Sequence, residues 1–235
     1  MGEETYHPGL ELTAAPTFIC DPIDGTTNFV HSHPYVSISL ALAIDRTPVV
    51  GVVYNPFTGH LYHGIRGGGS FLTTALPFGS PVAEITRTLP LRPLESLSLD
   101  TALVAVEWGN ERSGSNWECK IRTFEALAGA KEQGGAMAHS LRSLGSAALN
   151  LCGVAAGEFD AYWEGGCWVW DVAAGWVILG EAGGRVVGSN KGEWDVPVDG
   201  RKYLAVRGGV GGKEEVQRFI ESFWECVKGE LRYDV

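Results

Sequence analysis

From Val36 to Ile44 the chain alternates strictly. Large apolar residues stand at 36, 38, 40, 42 and 44, and small ones at 37, 39, 41 and 43. A period of two is that of a β-strand, so this segment predicts a strand with one face in a core and the other tightly covered. Thr17–Cys20 is short, apolar and β-prone and predicts a strand ending at Asp21. "TPVVGVVYNP" and "GHLYHGIRGGGSFL" continue with short strands and turn residues, so 15–72 reads as an antiparallel meander. Residues 77–100 are rich in Pro, Ser and Thr and read as loop plus a short strand. Beyond them the pattern predicts strands at Thr101–Glu107 and Phe159–Trp163, and helices at Cys119–Lys131, Ser143–Gly157 and Asp171–Gly183. Val216, Phe219, Ile220, Phe223 and Val227 recur at helical spacing and predict a last amphipathic helix. Strands followed by alternating strands and helices indicate layered α+β structure.

Composition narrows the class. A chain of 235 residues can bury one good core, and 45% hydrophobic with 20% charged residues is ordinary for a globular protein. No apolar run is long enough to span a membrane as a helix. The formal net charge of -10 argues against a nucleic-acid binder. Cys20, Cys119, Cys152, Cys167 and Cys226 are odd in number and scattered, so free thiols in a reducing cytoplasm are expected rather than a disulfide framework. The glycine run of "GIRGGGSF" lacks the Gly-Lys-Ser/Thr ending of a phosphate loop and reads as a hairpin turn.

Candidate chemistry concentrates in two places. "DPIDGTTNF" (21–29) sets Asp21 and Asp24 at the end of a strand, with Pro22 stiffening the turn. Two readings are open, a simple turn or a site for a hard cation, which takes carboxylate and carbonyl oxygens. Gly25-Thr26-Thr27-Asn28 looks like the start of a helical turn, whose free N–H groups attract phosphate. In "EGGCWVWDVAAGWVILGEAGG" (164–184), Asp171 opens a helix, as an N-cap or as a ligand, and Glu164 faces a cleft or solvent.

"DPIDGTTNF" and "WDVAAGWVILGEAGG", in this order and spacing, resemble the two signatures of the inositol monophosphatase family. "PYVSISLALA", "GVVYNP" and "RSLGSAALNLCGVAAGEFDAYWE" extend the resemblance over most of the chain. It implies the layered αβαβα sugar-phosphatase fold as a single domain, 1–235, with a mainly antiparallel half (1–100) and an α/β half (101–235). It also implies two or three Mg2+ ions and a homodimer acting on a small phosphate monoester. By the same resemblance Glu3, Asp21 and the Ile23 carbonyl hold one ion, and Asp21, Asp24 and Asp171 another. Gly25 and Thr26 bind phosphate, and Thr26, Glu3 and Asp24 are catalytic. Gly145, Ser146, Ala147 and Glu164 line the alcohol side.

Two points depart from the family pattern. The family carries a helical hairpin ahead of its G-E-E motif, here Gly2-Glu3-Glu4, and the resemblance implies a chain lacking that segment. Glu3 is then expected to be loosely held and the sheet partly uncovered. Asn110 and Glu111 stand where relatives place a polar substrate contact. A bisphosphate nucleotidase and a catalytically impaired relative are the alternative readings.

Overall fold

A computed structural model describes residues 1–7, 9–74 and 84–233; part of the Pro-, Ser- and Thr-rich region therefore lies outside the described residues. The meander is present as a six-stranded antiparallel sheet in chain order: β1 (Thr17–Asp24), β2 (Ser37–Ile44), β3 (Thr47–Asn55), β4 (His60–Ile65), β5 (Gly69–Thr74) and β6 (Ile85–Thr88). A second sheet has the order β10-β11-β9-β7-β8, from β7 (Leu103–Val106), β8 (Ser140–Arg142), β9 (Ala161–Gly165), β10 (Arg185–Val187) and β11 (Lys202–Val206). In it β7 runs parallel to both β8 and β9. The helices are α1 (Thr26–Val30), α2 (Gly114–Ala128), α3 (Ala147–Ala156), α4 (Val169–Glu181) and α5 (Gly212–Cys226).

Two cores stack these elements. One joins the inner face of the first sheet, α3, α4 and one face of the second sheet; the other joins the opposite face of the second sheet to α2 and α5. The described layers thus run sheet, helices, sheet, helices. The helical segments begin or end a few residues from their predicted bounds. The largest differences are at α2, which starts at Gly114 rather than Cys119, and at Ser143–Ser146, which is loop rather than helix. The short strands β10 and β11 have no pattern that announces them.

The alternation in β2 is real, but its faces carry roles opposite to the usual ones. Ser37, Ser39, Ala41 and Ala43 are buried, while Leu40 is 45% exposed. The reason is the closeness of α4, whose Ala173, Ala174 and Gly175 bring its backbone down onto the sheet. A Cβ on Gly51 would lie 2.2 Å from the Ala174 carbonyl oxygen, so only small side chains fit beneath the helix. Large residues therefore point outward. By register Phe18, Leu42, Val50 and Ile65 align on the open face, as do Leu40, Val52, His63 and Phe71. Among the described residues no helix covers this face, and Phe18 is 76% exposed.

The asymmetry gives a stability prediction. Gly51→Ala destabilises by about 3 kcal/mol, the upper end of overpacking penalties, because backbone rather than a flexible side chain must move. Phe18→Ser on the open face changes stability by less than about 0.5 kcal/mol. Urea denaturation of the two variants reads the difference.

The glycine run is the β4–β5 hairpin, and its free N–H groups are already occupied. Gly67 and Gly69 each donate to the Glu181 carboxyl at 2.8 Å, which ties the hairpin to the end of α4. All five cysteines are free thiols, four of them buried. Among the described residues no helix is long and apolar enough to cross a membrane.

Candidate active site

β1 delivers the first pair of acids. Its pairing with β2 is irregular between Asp21 and Asp24, which lets both carboxyls turn inward, and both are buried. The Ile23 N–H donates to Asp21 Oδ1 at 2.9 Å. Gly25 follows at φ 86°, where a Cβ would come within 2.9 Å of the Tyr35 carbonyl oxygen, so this turn needs glycine. The turn opens α1. The Thr26 hydroxyl donates to the Ile23 carbonyl at 3.0 Å, so the hydroxyl expected to orient water already touches the carbonyl expected to bind metal.

Glu3 is not loosely held. Gly2 bridges Cys20 in parallel, the Cys20 N–H donates to the Met1 carbonyl at 2.9 Å, and Glu3–Thr5 form a single 3-10 turn. Tyr6, just beyond that turn, packs on Trp168 and Trp170 at ring-centroid distances of 4.9 and 5.2 Å. These contacts bring the Glu3 carboxyl within hydrogen-bonding reach of Asp21.

α3 and α4 aim their first turns at the same acids. The Asp24 carboxyl accepts from the Ser37 hydroxyl (2.8 Å), the Ser146 hydroxyl and the N–H groups of Ala147 and Ala148. Ser146 is the N-cap of α3 and accepts from the Leu149 N–H at 3.2 Å. Asp171 is the third residue of α4 rather than its N-cap; it accepts from the Trp168 N–H at 2.7 Å. That back-bond fixes the carboxyl close to Asp21, so that the two acids act on one another.

The loop before α3 is fixed by a residue whose surroundings in sequence give no sign of it. Glu107, at the end of β7, accepts from the Ser143 hydroxyl (2.8 Å), the N–H groups of Leu144 (2.7 Å) and Gly145 (2.9 Å), and the Asn150 amide (2.9 Å). Asn28 closes the same corner by donating to the carbonyls of Tyr35 and Leu144. Glu164, at the end of β9, accepts from the Tyr162 hydroxyl. Glu107 and Glu164 thus sit at the carboxyl ends of parallel strands, where α/β sheets place their ligands. Glu111 accepts from Tyr233 and Asn116 and is a structural anchor.

Burial raises every acid of the cluster. It pushes Glu3 to about 7, helped by the charge of Asp21, and Asp24 to about 6. Asp21 is raised by burial and by Asp24, and Asp171 goes well above the usual carboxylate range. Glu164 reaches about 7 through burial and the charge of Glu107. Among the described residues no group of three or more His, Cys, Asp and Glu side chains is arranged, as it stands, to hold a metal ion. The carboxyls take Ser hydroxyls, backbone N–H groups and one another instead. The donor set nonetheless fits a hard cation. Glu3, Asp21, Asp24 and Asp171 crowd together: the Asp21 charge raises Glu3, and the Asp24 charge raises both Asp21 and Asp171.

These shifts carry a pH sign. Asp24 holds its proton more tightly folded (about 6) than at its ordinary 3.8, so the folded state binds more protons between those values. Stability then falls as pH rises through that window. With a chelator present, Asp24→Asn gains melting temperature relative to the parent as pH goes from 4 to 7, and saturating Mg2+ reverses the gain. Calorimetric melts across pH check both.

Known proteins resemble this chain in both sequence and fold. The family model described as "Inositol monophosphatase family" matches residues 1–228. The chain belongs to the inositol monophosphatase family. It is 51% identical to inositol monophosphatase 2 of Saccharomyces cerevisiae, across 99% of this chain and 75% of that protein. Identity to inositol monophosphatase 1 of the same yeast is 43%, across 100% and 76%. Among solved structures, inositol monophosphatase-II of Staphylococcus aureus superposes with TM-score 0.69 at 27% identity, over 96% of this chain and 74% of that one. The chain is therefore a phosphatase, of a family that depends on metal, typically Mg2+.

Within that family the structure brings Glu3, Asp21, Ile23, Asp24, Gly25, Thr26 and Asp171 to one corner, with Gly145, Ser146 and Ala147 across from them. Glu164, on β9, is near enough for its charge to raise Asp171. Glu107, which shapes the corner, lacks any local signal because its partners are far along the chain, whereas Asn28 lies inside the first motif and has one partner, Tyr35, seven residues on.

Proposed function

We propose that this phosphatase hydrolyses inositol monophosphate, or a closely similar polyol or sugar phosphate, at the acid corner. The observation that carries the reading is the cluster of crowded acids, with Asp21 and Asp24 buried and Glu3 and Asp171 close enough to shift Asp21, beside the glycine turn at Gly25. A relative solved with inositol monophosphate bound, SaIMPase-II, supports the substrate class.

Glu3, Asp21 and the Ile23 carbonyl would hold one Mg2+, and Asp21, Asp24 and Asp171 a second. Bound there, Mg2+ supplies Lewis acidity for the attacking water and the leaving oxygen. The chain's own groups do the rest. The N–H groups of Gly25 and Thr26 receive the phosphate oxygens. The Thr26 hydroxyl, now on the Ile23 carbonyl, orients the water in line with the departing alcohol. Gly145, Ser146, Ala147 and Glu164 bind the alcohol's hydroxyls. Among the described residues of the corner no Ser or Cys is paired with a His, and the Ser37 and Ser146 hydroxyls are held by the buried Asp24 carboxyl, so attack is by water and no phosphoenzyme forms. The whole chain acts as one domain, and we place it in the cytoplasm as a homodimer, consistent with its free thiols and acidic surface.

A substrate panel tests the assignment. The expected result is Mg2+-dependent phosphate release from inositol monophosphate well above that from 3′,5′-bisphosphate nucleotides. Release from the nucleotide with none from inositol monophosphate sinks it.

A further inference from the structure

The chain's last described residues return to the site. After α5, the Lys228 N–H donates to the Thr123 hydroxyl at 3.0 Å. Two asparagines then hold the strap as a strand neighbour would, each both donating and accepting. Asn190 pairs with the Leu231 carbonyl (3.0 Å) and N–H (2.8 Å), and Asn116 with the Arg232 carbonyl (2.8 Å) and N–H (2.8 Å). The Tyr233 hydroxyl donates to Glu111 at 2.7 Å.

This pinning lays the Tyr233 ring on Gly165 and Gly166, the turn between Glu164 and Asp171. A Cβ on Gly165 would come within 2.6 Å of the ring, and one on Gly166 within 3.2 Å, so the two glycines are the recess the ring fills. Two cations flank the ring, Lys120 at 5.6 Å and Arg201 at 5.7 Å from its centroid. Each also grips the turn beneath it. Lys120 donates to the Gly165 carbonyl at 3.1 Å, and Arg201 to the Gly166 carbonyl at 3.2 Å while stacking on Trp168. Lys120 is fully buried, and ring and carbonyls together solvate its charge.

We propose that Tyr233 is a positioning residue for substrate selection: it presses the Gly165–Gly166 turn onto Lys120 and Arg201 and so fixes Glu164 against the leaving alcohol. The inference rests on the phosphatase reading. It predicts a defect confined to esters whose alcohol carries hydroxyls for Glu164 to bind.

Two measurements on the full chain with Mg2+ test it. First, Tyr233→Ala raises KM for inositol monophosphate roughly tenfold with kcat nearly kept, as loss of binding shared by ground state and transition state does. The KM for p-nitrophenyl phosphate, whose alcohol has no such hydroxyls, shifts by less than about twofold. Tyr233→Phe, which keeps the ring, recovers most of the affinity. Gly165→Ala, which pushes the ring out from beneath, reproduces the Tyr233→Ala pattern should that variant fold poorly. Second, hydrogen exchange at 165–167 speeds up in Tyr233→Ala. Equal losses on both esters, or an unchanged KM, overturn the proposal. If the parent releases phosphate from neither ester, the phosphatase reading is what fails, and unchanged exchange at the turn then overturns the clamp by itself.

Discussion

Asp21→Asn abolishes phosphate release, by roughly 10³-fold or more in kcat, with far less change in melting temperature. A metal that activates water and stabilises the leaving oxygen supplies several kcal/mol of transition-state stabilisation, and its loss removes that directly. Asp21 is the residue all the expected ligand sets share, and it is buried where Glu3, Asp24 and Asp171 all act on it. The amide keeps the shape and can still accept from the Ile23 N–H, so the turn survives. It cannot be the anion that two cations need. Folding is spared further because the parent bears the cost of a buried, crowded acid that the amide does not. Phosphate release measured alongside thermal melting separates the two effects. Loss of less than about tenfold, or a variant as unstable as it is inactive, contradicts the assignment.

Glu107→Ala has the second-largest expected effect, and on stability it is the largest. Four donors lose their acceptor together: the Leu144 and Gly145 N–H groups, the Ser143 hydroxyl and the Asn150 amide. The Asn150 amide is fully buried and leaving it unpaired costs about 1–3 kcal/mol; the other three donors are part-buried and rehydrate in part, which brings the net loss to about 3–5 kcal/mol. Loop 143–146 also carries the Ser146 hydroxyl that bonds Asp24, so activity of the folded fraction drops roughly 10²-fold as that corner drifts. Glu107→Gln recovers only part, because one side of its amide turns a donor toward other donors. Denaturant unfolding and kinetics on the soluble fraction check the two magnitudes.

How much of this was legible in the sequence depends on how far apart the partners lie. The acid corner was legible. Asp21, Ile23, Asp24, Gly25 and Thr26 fall within six consecutive positions, and a strand ending in a glycine turn forces them together. Asp171 was readable as a helix-opening acid. Its place three residues in, where it accepts from the Trp168 N–H, was not, because the helix starts earlier than the charge pattern shows. Glu107 was invisible: "VEWG" gives it no local role, and its partners stand 36 to 43 residues away. The same holds for Tyr233, which is 122 residues from Glu111. In β2 the period was right, but the sense of its faces depended on how closely Ala174 approaches Gly51, which periodicity does not encode. Glu3 shows the reverse case. Proximity to the start of the chain suggested looseness, and three long-range contacts, to Cys20, Trp168 and Trp170, give it a fixed place.

The central claim is that this acid corner is a Mg2+-dependent phosphomonoesterase site. The most direct measurement follows phosphate release from inositol monophosphate by the metal-stripped chain while Mg2+ is titrated back. The account predicts no release without Mg2+, saturable recovery as it is added, and no recovery at any concentration in Asp21→Asn. Release that persists in excess chelator, or full recovery in Asp21→Asn, would contradict it.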